Sequence, residues 1–306
     1  MMITKTLDIE GPVRVIDHGG DGPLILLLHG LAGSADNWSA VGAGLAHSGR
    51  VIAVDLLGCG ETPPAGRAVS VEHNAALVAR VISEFGERSA TLIGHSMGGL
   101  VAMIAAAEYP TRVDRLVLVS PALPLNLRQL PDMEVLSKLL GPIVPIAGPL
   151  SVRLYRAGKT PRQEVDETLR MNCFDIDTIP IETRETIIEG AVRQRGNPWA
   201  VGSFVEADRS IAGYVLRPKR LRRLVHRISQ PVLLVHGTED RLVSTGSAKW
   251  AAHQRPDWDF IGLNGIGHVP MLETPDAFTF LVREWLDGND VRARAGAFES
   301  RIDPLE

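Results

Sequence analysis

Ser96 stands in Gly94-His95-Ser96-Met97-Gly98, a G-x-S-x-G pattern whose serine could attack a carbonyl carbon. A serine hydroxyl is a weak nucleophile at neutral pH and needs a base within hydrogen-bond reach. The base in turn needs an anion to fix its tautomer and to stabilise the imidazolium. Among nine histidines, His268 in Gly265-Ile266-Gly267-His268-Val269-Pro270 is the candidate base, because glycines and a proline fix the loop that carries it. His47, His73 and His253 fall on predicted exposed helix faces, His226 lies in an arginine-rich helix, and His236 reads as a core or strand-end residue. The acid is sought in His236-Gly237-Thr238-Glu239-Asp240, which follows the run VLLV. Asp240 is preferred; Glu239, which suits solvent or a helix cap, stays as the alternative. The run LVLV offers no carboxylate, since it continues as Ser120-Pro121-Ala122. The order Ser96, Asp240, His268 is serine, acid, histidine.

A tetrahedral intermediate also needs two donors for its oxyanion. The loop His29-Gly30-Leu31-Ala32-Gly33-Ser34 can supply the N–H of Leu31, and Met97 supplies the N–H after the nucleophile. His29, Gly30 and His95 flank these groups and are expected to contact substrate. The plain alternatives are a serine N-cap in a glycine-rich turn and a surface-loop histidine. A phosphate cradle fits poorly, since the G-x-G-x-x-G spacing is absent.

These residues need a scaffold, and the first third of the chain supplies its rhythm. Residues 23–28 (PLILLL), 51–54 (VIAV), 90–93 (ATLI) and 116–119 (LVLV) are apolar on both faces, as strands buried between two helix layers must be. Helical patterns lie between them at 36–47, 71–85 and 97–109. Strand–helix alternation predicts a doubly wound α/β fold with a mostly parallel sheet. Residues 13–17 are expected in an antiparallel hairpin at the sheet edge. The rhythm breaks at 122–228, read as inserted helices, and returns with strands at 232–235 and 259–263 and helices at 244–253 and 274–285. The organisation expected is a core of residues 1–121 and 229–290, a helical cap or lid at 122–228, and a polar tail at 291–306.

Composition bounds the function. The 306 residues are 45% hydrophobic and 22% charged, with a net charge of -4, which disfavours nucleic acid as a partner. Two cysteines are too few for a disulfide framework, and the N-terminal residues show no signal pattern. A cytoplasmic protein is the expectation. No metal or organic cofactor is expected, since neither an H-E-x-x-H motif nor a cysteine/histidine cluster occurs. The uncharged stretch at 139–152, LLGPIVPIAGPLSV, is too broken by prolines to span a bilayer. It suits packing of the cap, or an apolar pocket mouth with weak contact to lipid surfaces. The basic run at 217–227 (RPKRLRRLVHR) reads as an amphipathic helix with a solvated face.

HGLAGSADNW, DLLGCGET, GHSMGG, HGTED and GHVPMLETP occur in that order over residues 13–286, and together they resemble the α/β-hydrolase superfamily. The resemblance implies an eight-stranded, mostly parallel sheet, a helical cap inserted after strand six, and Ser96, Asp240 and His268 as a triad. A serine at 96 argues against relatives that cleave carbon–halogen bonds or epoxides with an aspartate. GHSMGG looks more like esterases and lipases than like carbon–carbon hydrolases, which often carry asparagine where His95 stands. The function expected is hydrolysis of a carboxylic ester with an apolar acyl or alcohol part. Carbon–carbon hydrolysis or cofactor-free perhydrolysis on the same scaffold, and a low-turnover ligand receptor, are the alternatives. Turnover on a simple ester separates enzyme from receptor.

Overall fold

The computed structural model describes residues 2–125, 144 and 147–292. Its apolar runs form strands because successive side chains feed two different cores. Leu24, Leu26, Leu28, Leu92, Leu116, Leu118 and Leu234 enter one cluster. Ile25, Leu27, Ile93, Val117, Val119, Leu233 and Val235 enter the other. A strand with a period of two can satisfy both faces only when helices cover both sides of the sheet.

Among the described residues eight strands result: β1 (Ile3–Asp8), β2 (Pro12–Gly19), β3 (Leu24–Leu28), β4 (Arg50–Val54), β5 (Ala90–His95), β6 (Val113–Val119), β7 (Val232–Gly237) and β8 (Asp259–Leu263). Their order is β1-β2-β4-β3-β5-β6-β7-β8. β1 and β2 form the antiparallel edge hairpin, β2 is also antiparallel to β4, and every later pairing is parallel. The chain leaves β3 toward β4 and later resumes on the other side of β3 with β5. Beyond the carboxyl ends of strands at such a reversal, doubly wound sheets open a crevice.

The helices of the first third depart from expectation at one place. Residues 36–47 do not form one helix; a 3-10 turn at Ala35–Trp38 is followed by a short α1 (Gly42–Leu45). Ser34 and Asn37 close a capping box on the 3-10 turn, and a side chain at Gly42 would strike the His18 ring. Glycine at 42 and 44 weakens helix propagation. Helices α2 (Val71–Glu84) and α3 (Met97–Glu108) lie within a residue of their predicted ends. Residues 97–107 of α3 are all buried, and small residues allow that depth. A Cβ at Gly98 would collide with the carbonyl oxygens of Leu28 and His29 on β3 and its loop. Gly98→Ala should therefore lower stability by about 1–3 kcal/mol, the usual cost of forced overpacking, read as a reduced urea midpoint.

Between β6 and β7 the described residues form helices alone: α4 (Ala147–Arg156), α5 (Pro161–Asn172), α6 (Ile181–Arg195), α7 (Ala200–Val215) and α8 (Pro218–Arg227). In α8, Leu221, Leu224 and Val225 are buried while Arg220 and Arg227 pair with Glu72 and Glu108. That is the amphipathic helix the basic run suggested. Half of the apolar stretch at 139–152, with Pro142 and Pro145, lies outside the described residues, as does the tail from 293 onward. Helices α9 (Thr245–Gln254), α10 (Pro270–Glu273) and α11 (Pro275–Leu286) complete the fold. Among the described residues no helix is long and apolar enough to cross a membrane.

Candidate active site

The candidate residues follow the carboxyl ends of four strands. Ser96 ends β5 and begins α3 with φ 52° and ψ −112°. A non-glycine residue in this region stores about 1–3 kcal/mol of backbone strain, which the surrounding structure must hold. Here Ser96 N–H donates to Val119 C=O at 3.0 Å, and Ser96 C=O accepts from Leu100 N–H and Ala122 N–H at 3.1 and 3.0 Å. Gly94 is required as well, since a side chain there would run into the backbone of Gly98. The strained turn pushes the serine out at the helix N-terminus, where the first N–H groups, that of Met97 among them, lack intrahelical acceptors.

His268 lies at the far end of the sheet order but is brought to the same edge. Its Nδ1–H donates to Asp240 Oδ2 at 2.7 Å. The His95 ring meets the His268 ring edge-on, with centroids 4.8 Å apart, and His95 Nε2–H donates to the His268 carbonyl at 3.0 Å. The chain neighbour of Ser96 thus touches both the ring and the backbone of His268. Burial, followed by the adjacent His268, lowers the His95 pKa to about 3, so His95 stays a neutral donor.

Asp240 is buried and Glu239 is exposed, which separates the two carboxylates that the sequence left open. Glu239 accepts from the Thr238 hydroxyl, at 3.2 Å. Asp240 Oδ1 accepts the N–H groups of Leu242 and Val243, both at 2.9 Å, which leaves Oδ2 for His268. Burial pushes the Asp240 pKa up, but the attraction and hydrogen bond of His268, with His236 and the Val243 N–H, outweigh it and hold it below the usual carboxylate range. The sequence reads His236 as a core or strand-end residue, and it is buried near the end of β7. Its Nε2 lies 3.3 Å from Asp240 Oδ2 and donates to Val243 C=O at 2.8 Å, so it fixes the turn that aims the acid.

The loop after β3 sits against Ser96. A Cβ on Gly30 would stand 2.9 Å from His95 Nδ1 and 3.3 Å from Ser96 Cβ, so only glycine permits this approach. A Gly33 N–H to Gly30 C=O bond of 3.1 Å closes the turn that carries Leu31. His29 is fully buried, donates from Nδ1 to Gly30 C=O at 2.7 Å and accepts Leu56 N–H on Nε2 at 3.0 Å. Both of its ring nitrogens are committed to the backbone, so this side chain shapes the loop.

A buried charge network beneath that loop was not read from the sequence. Arg14 on β2 donates to both Asp36 oxygens at 3.0 and 2.9 Å and lies 3.3 Å from Asp55. Asp55 also accepts Ala35 N–H at 2.6 Å and Glu61 N–H at 2.8 Å. Arg193 of α6 reaches Asp36 at 3.0 Å, so an inserted helix braces the same loop. Burial disfavours charge on Asp36, yet Arg14, Ser34 and Arg193 hold its pKa below the ordinary range. Asp55 lay in the DLLGCGET motif, but nothing local in the sequence points from Arg14 to partners more than twenty residues away.

This sheet, with the candidate site at the carboxyl ends around β3 and β5, has the α/β-hydrolase fold. A sequence model described as "alpha/beta hydrolase fold" matches residues 23–145. An uncharacterised protein of Mycobacterium tuberculosis is 29% identical over 290 residues, 91% of this chain and 80% of that protein. The pimeloyl-[acyl-carrier protein] methyl ester esterase of Nitrosomonas europaea is 26% identical over 269 residues, covering 86% and 95%. Among solved structures, the 2-hydroxy-6-oxo-6-phenylhexa-2,4-dienoate hydrolase of a Rhodococcus species superposes with a TM-score of 0.73, covering 94% of this chain and 99% of that one at 22% identity.

Proposed function

We propose that the protein is a serine hydrolase of carboxylic esters. The observation that carries this is the strained Ser96 turn beside a His268–Asp240 pair whose bonding commits Nδ1 as donor. Nε2 of the neutral ring is then the acceptor, as a general base requires. Ser96 Oγ attacks the ester carbonyl carbon while its proton passes to His268 Nε2. The N–H groups of Leu31 and Met97 receive the oxyanion. The alcohol leaves with the proton, and water deprotonated by His268 releases the acid. Asp240, ionised throughout, supports the imidazolium in both halves.

Apolar surroundings favour an apolar acyl or alcohol part. Met97, which follows Ser96, and Leu123, which follows the Ala122 that bonds the Ser96 carbonyl, are buried in one apolar cluster, and Leu31 packs against it. The inserted helices serve as a cap in this reading. Two experiments test it. A fluorophosphonate probe should label the wild type on Ser96 and leave Ser96→Ala unlabelled. Across p-nitrophenyl esters from acetate to long chains, kcat/KM should rise by about tenfold for every two or so methylenes buried, until the pocket is filled. Flat activity across the series counts against a shaped apolar pocket. Efficient turnover of a vinylogous diketone with none on esters would assign carbon–carbon cleavage instead.

A further inference from the structure

Glu273 belongs to none of the groups assigned above, yet its carboxylate lies buried where the His268 loop meets the inserted helices. It sits on α10, five residues after His268. One oxygen, Oε1, accepts the N–H of Gly267 at 2.9 Å, the residue before His268. The other, Oε2, accepts the N–H of Phe174 at 2.8 Å and that of Asp175 at 3.4 Å, in the segment that leaves α5. Two further observations place the same segments in direct contact. His268 N–H donates to Asn172 C=O at 2.6 Å. Any side chain on Gly267 would collide with the backbone of residues 172–174. The two backbones therefore touch, and the carboxylate lies between them, taking donors from each.

We propose that Glu273 is a positioning residue that locks the His268 loop to the inserted 172–175 segment, so that the base keeps its aim only while the cap is seated. This deepens the ester-hydrolase reading and, for its kinetic part, rests on it. The chemistry of the side chain explains why glutamate is needed. A carboxylate is an acceptor on both oxygens, whereas glutamine presents one acceptor and one NH2 group. Glu273→Gln keeps the shape but sets an N–H against an N–H on one of the two segments. Glu273→Asp keeps the charge but is one methylene too short to reach both. Burial raises the Glu273 pKa to about 7 against the opposing pull of its backbone donors, so the ionised form that accepts on both oxygens is the one that prevails above that pH.

Hydrogen–deuterium exchange on the full chain tests the lock without reference to catalysis. In Glu273→Gln, peptides spanning 264–269 and 172–176 should both exchange at least tenfold faster than in the wild type, while 90–100 is unchanged. Glu273→Asp should repeat the pattern and serves as the second variant should glutamine prevent folding. Acceleration of only one segment, or of neither, overturns the proposal. On p-nitrophenyl esters, kcat of the folded variants should fall at least tenfold with KM within threefold, and fluorophosphonate labelling of Ser96 should slow in parallel. Wild-type kcat in a variant with both segments loosened would overturn the link to the base. If instead the wild type neither labels at Ser96 nor turns over esters, the ester reading fails while the exchange result still decides the lock.

Discussion

Replacing Ser96 with alanine should lower ester turnover by about 10⁶-fold, the scale seen when a serine nucleophile is removed from an intact triad. The loss is large because the remaining groups cannot substitute: His268 can still activate water, but no covalent intermediate forms. Leu31 and Met97 would still stabilise an oxyanion, so a small residual rate over buffer is expected. The fold should survive. Ser96 makes its bonds to Val119, Leu100 and Ala122 through backbone atoms, which alanine retains. The positive φ of 52° remains strained for alanine as it is for serine. A kcat within tenfold of the wild type on p-nitrophenyl butyrate, with a normal unfolding curve, would remove Ser96 from the mechanism.

Asp240→Asn should cost about 10⁴-fold in kcat, for a reason visible in the hydrogen bonds. Asp240 Oδ1 faces two backbone donors, Leu242 and Val243. Asparagine must keep its carbonyl oxygen there, so its NH2 group turns to His268 Nδ1. The ring answers by moving its proton to Nε2, and the nitrogen meant to accept from Ser96 then carries hydrogen. The same exchange changes stability with a defined sign. The wild-type carboxylate has its pKa lowered in the folded state, so its ionised form stabilises the fold above the unfolded value of about 4. That contribution fades as pH falls through the lower folded value. Urea unfolding should therefore show the variant weaker than the wild type at pH 7, with the gap narrowing at pH 3. A constant gap at both pH values would contradict the assignment of the shift to this carboxyl.

Particular residues show why parts of the site were legible early. The G-x-S-x-G turn is a local device: strand, sharp turn and helix are adjacent in the chain, and its glycines are fixed by neighbours within a few positions or by the β3 backbone beneath. Strand boundaries were equally accessible, because runs apolar on both faces have few other homes. The split between Glu239 and Asp240 was not local. Adjacent residues on a turn differ only in which one faces inward, and the bond from His268, distant in the chain, to Asp240 Oδ2 goes with that choice. The helix expected at 36–47 failed for a related reason, since Asp36 and Ser34 are held by Arg14 and by a capping box, and Gly42 makes room for His18.

By itself the sequence determined the order of strands and helices, the serine on its strained turn, and the presence of one acid and one histidine after later strands. These follow from periodicity, glycine placement and chain order, which are one-dimensional properties. Only the tertiary structure decided which groups stand behind them: Arg14 under the loop after β3, His236 beside Asp240, His95 against His268, and Glu273 between the His268 loop and the inserted helices. Each of these is a burial that becomes affordable only when a partner distant in the chain arrives to satisfy it. A buried charge or imidazole carries no mark of its partner in the sequence, because desolvation and hydrogen bonding are settled by the folded neighbourhood alone.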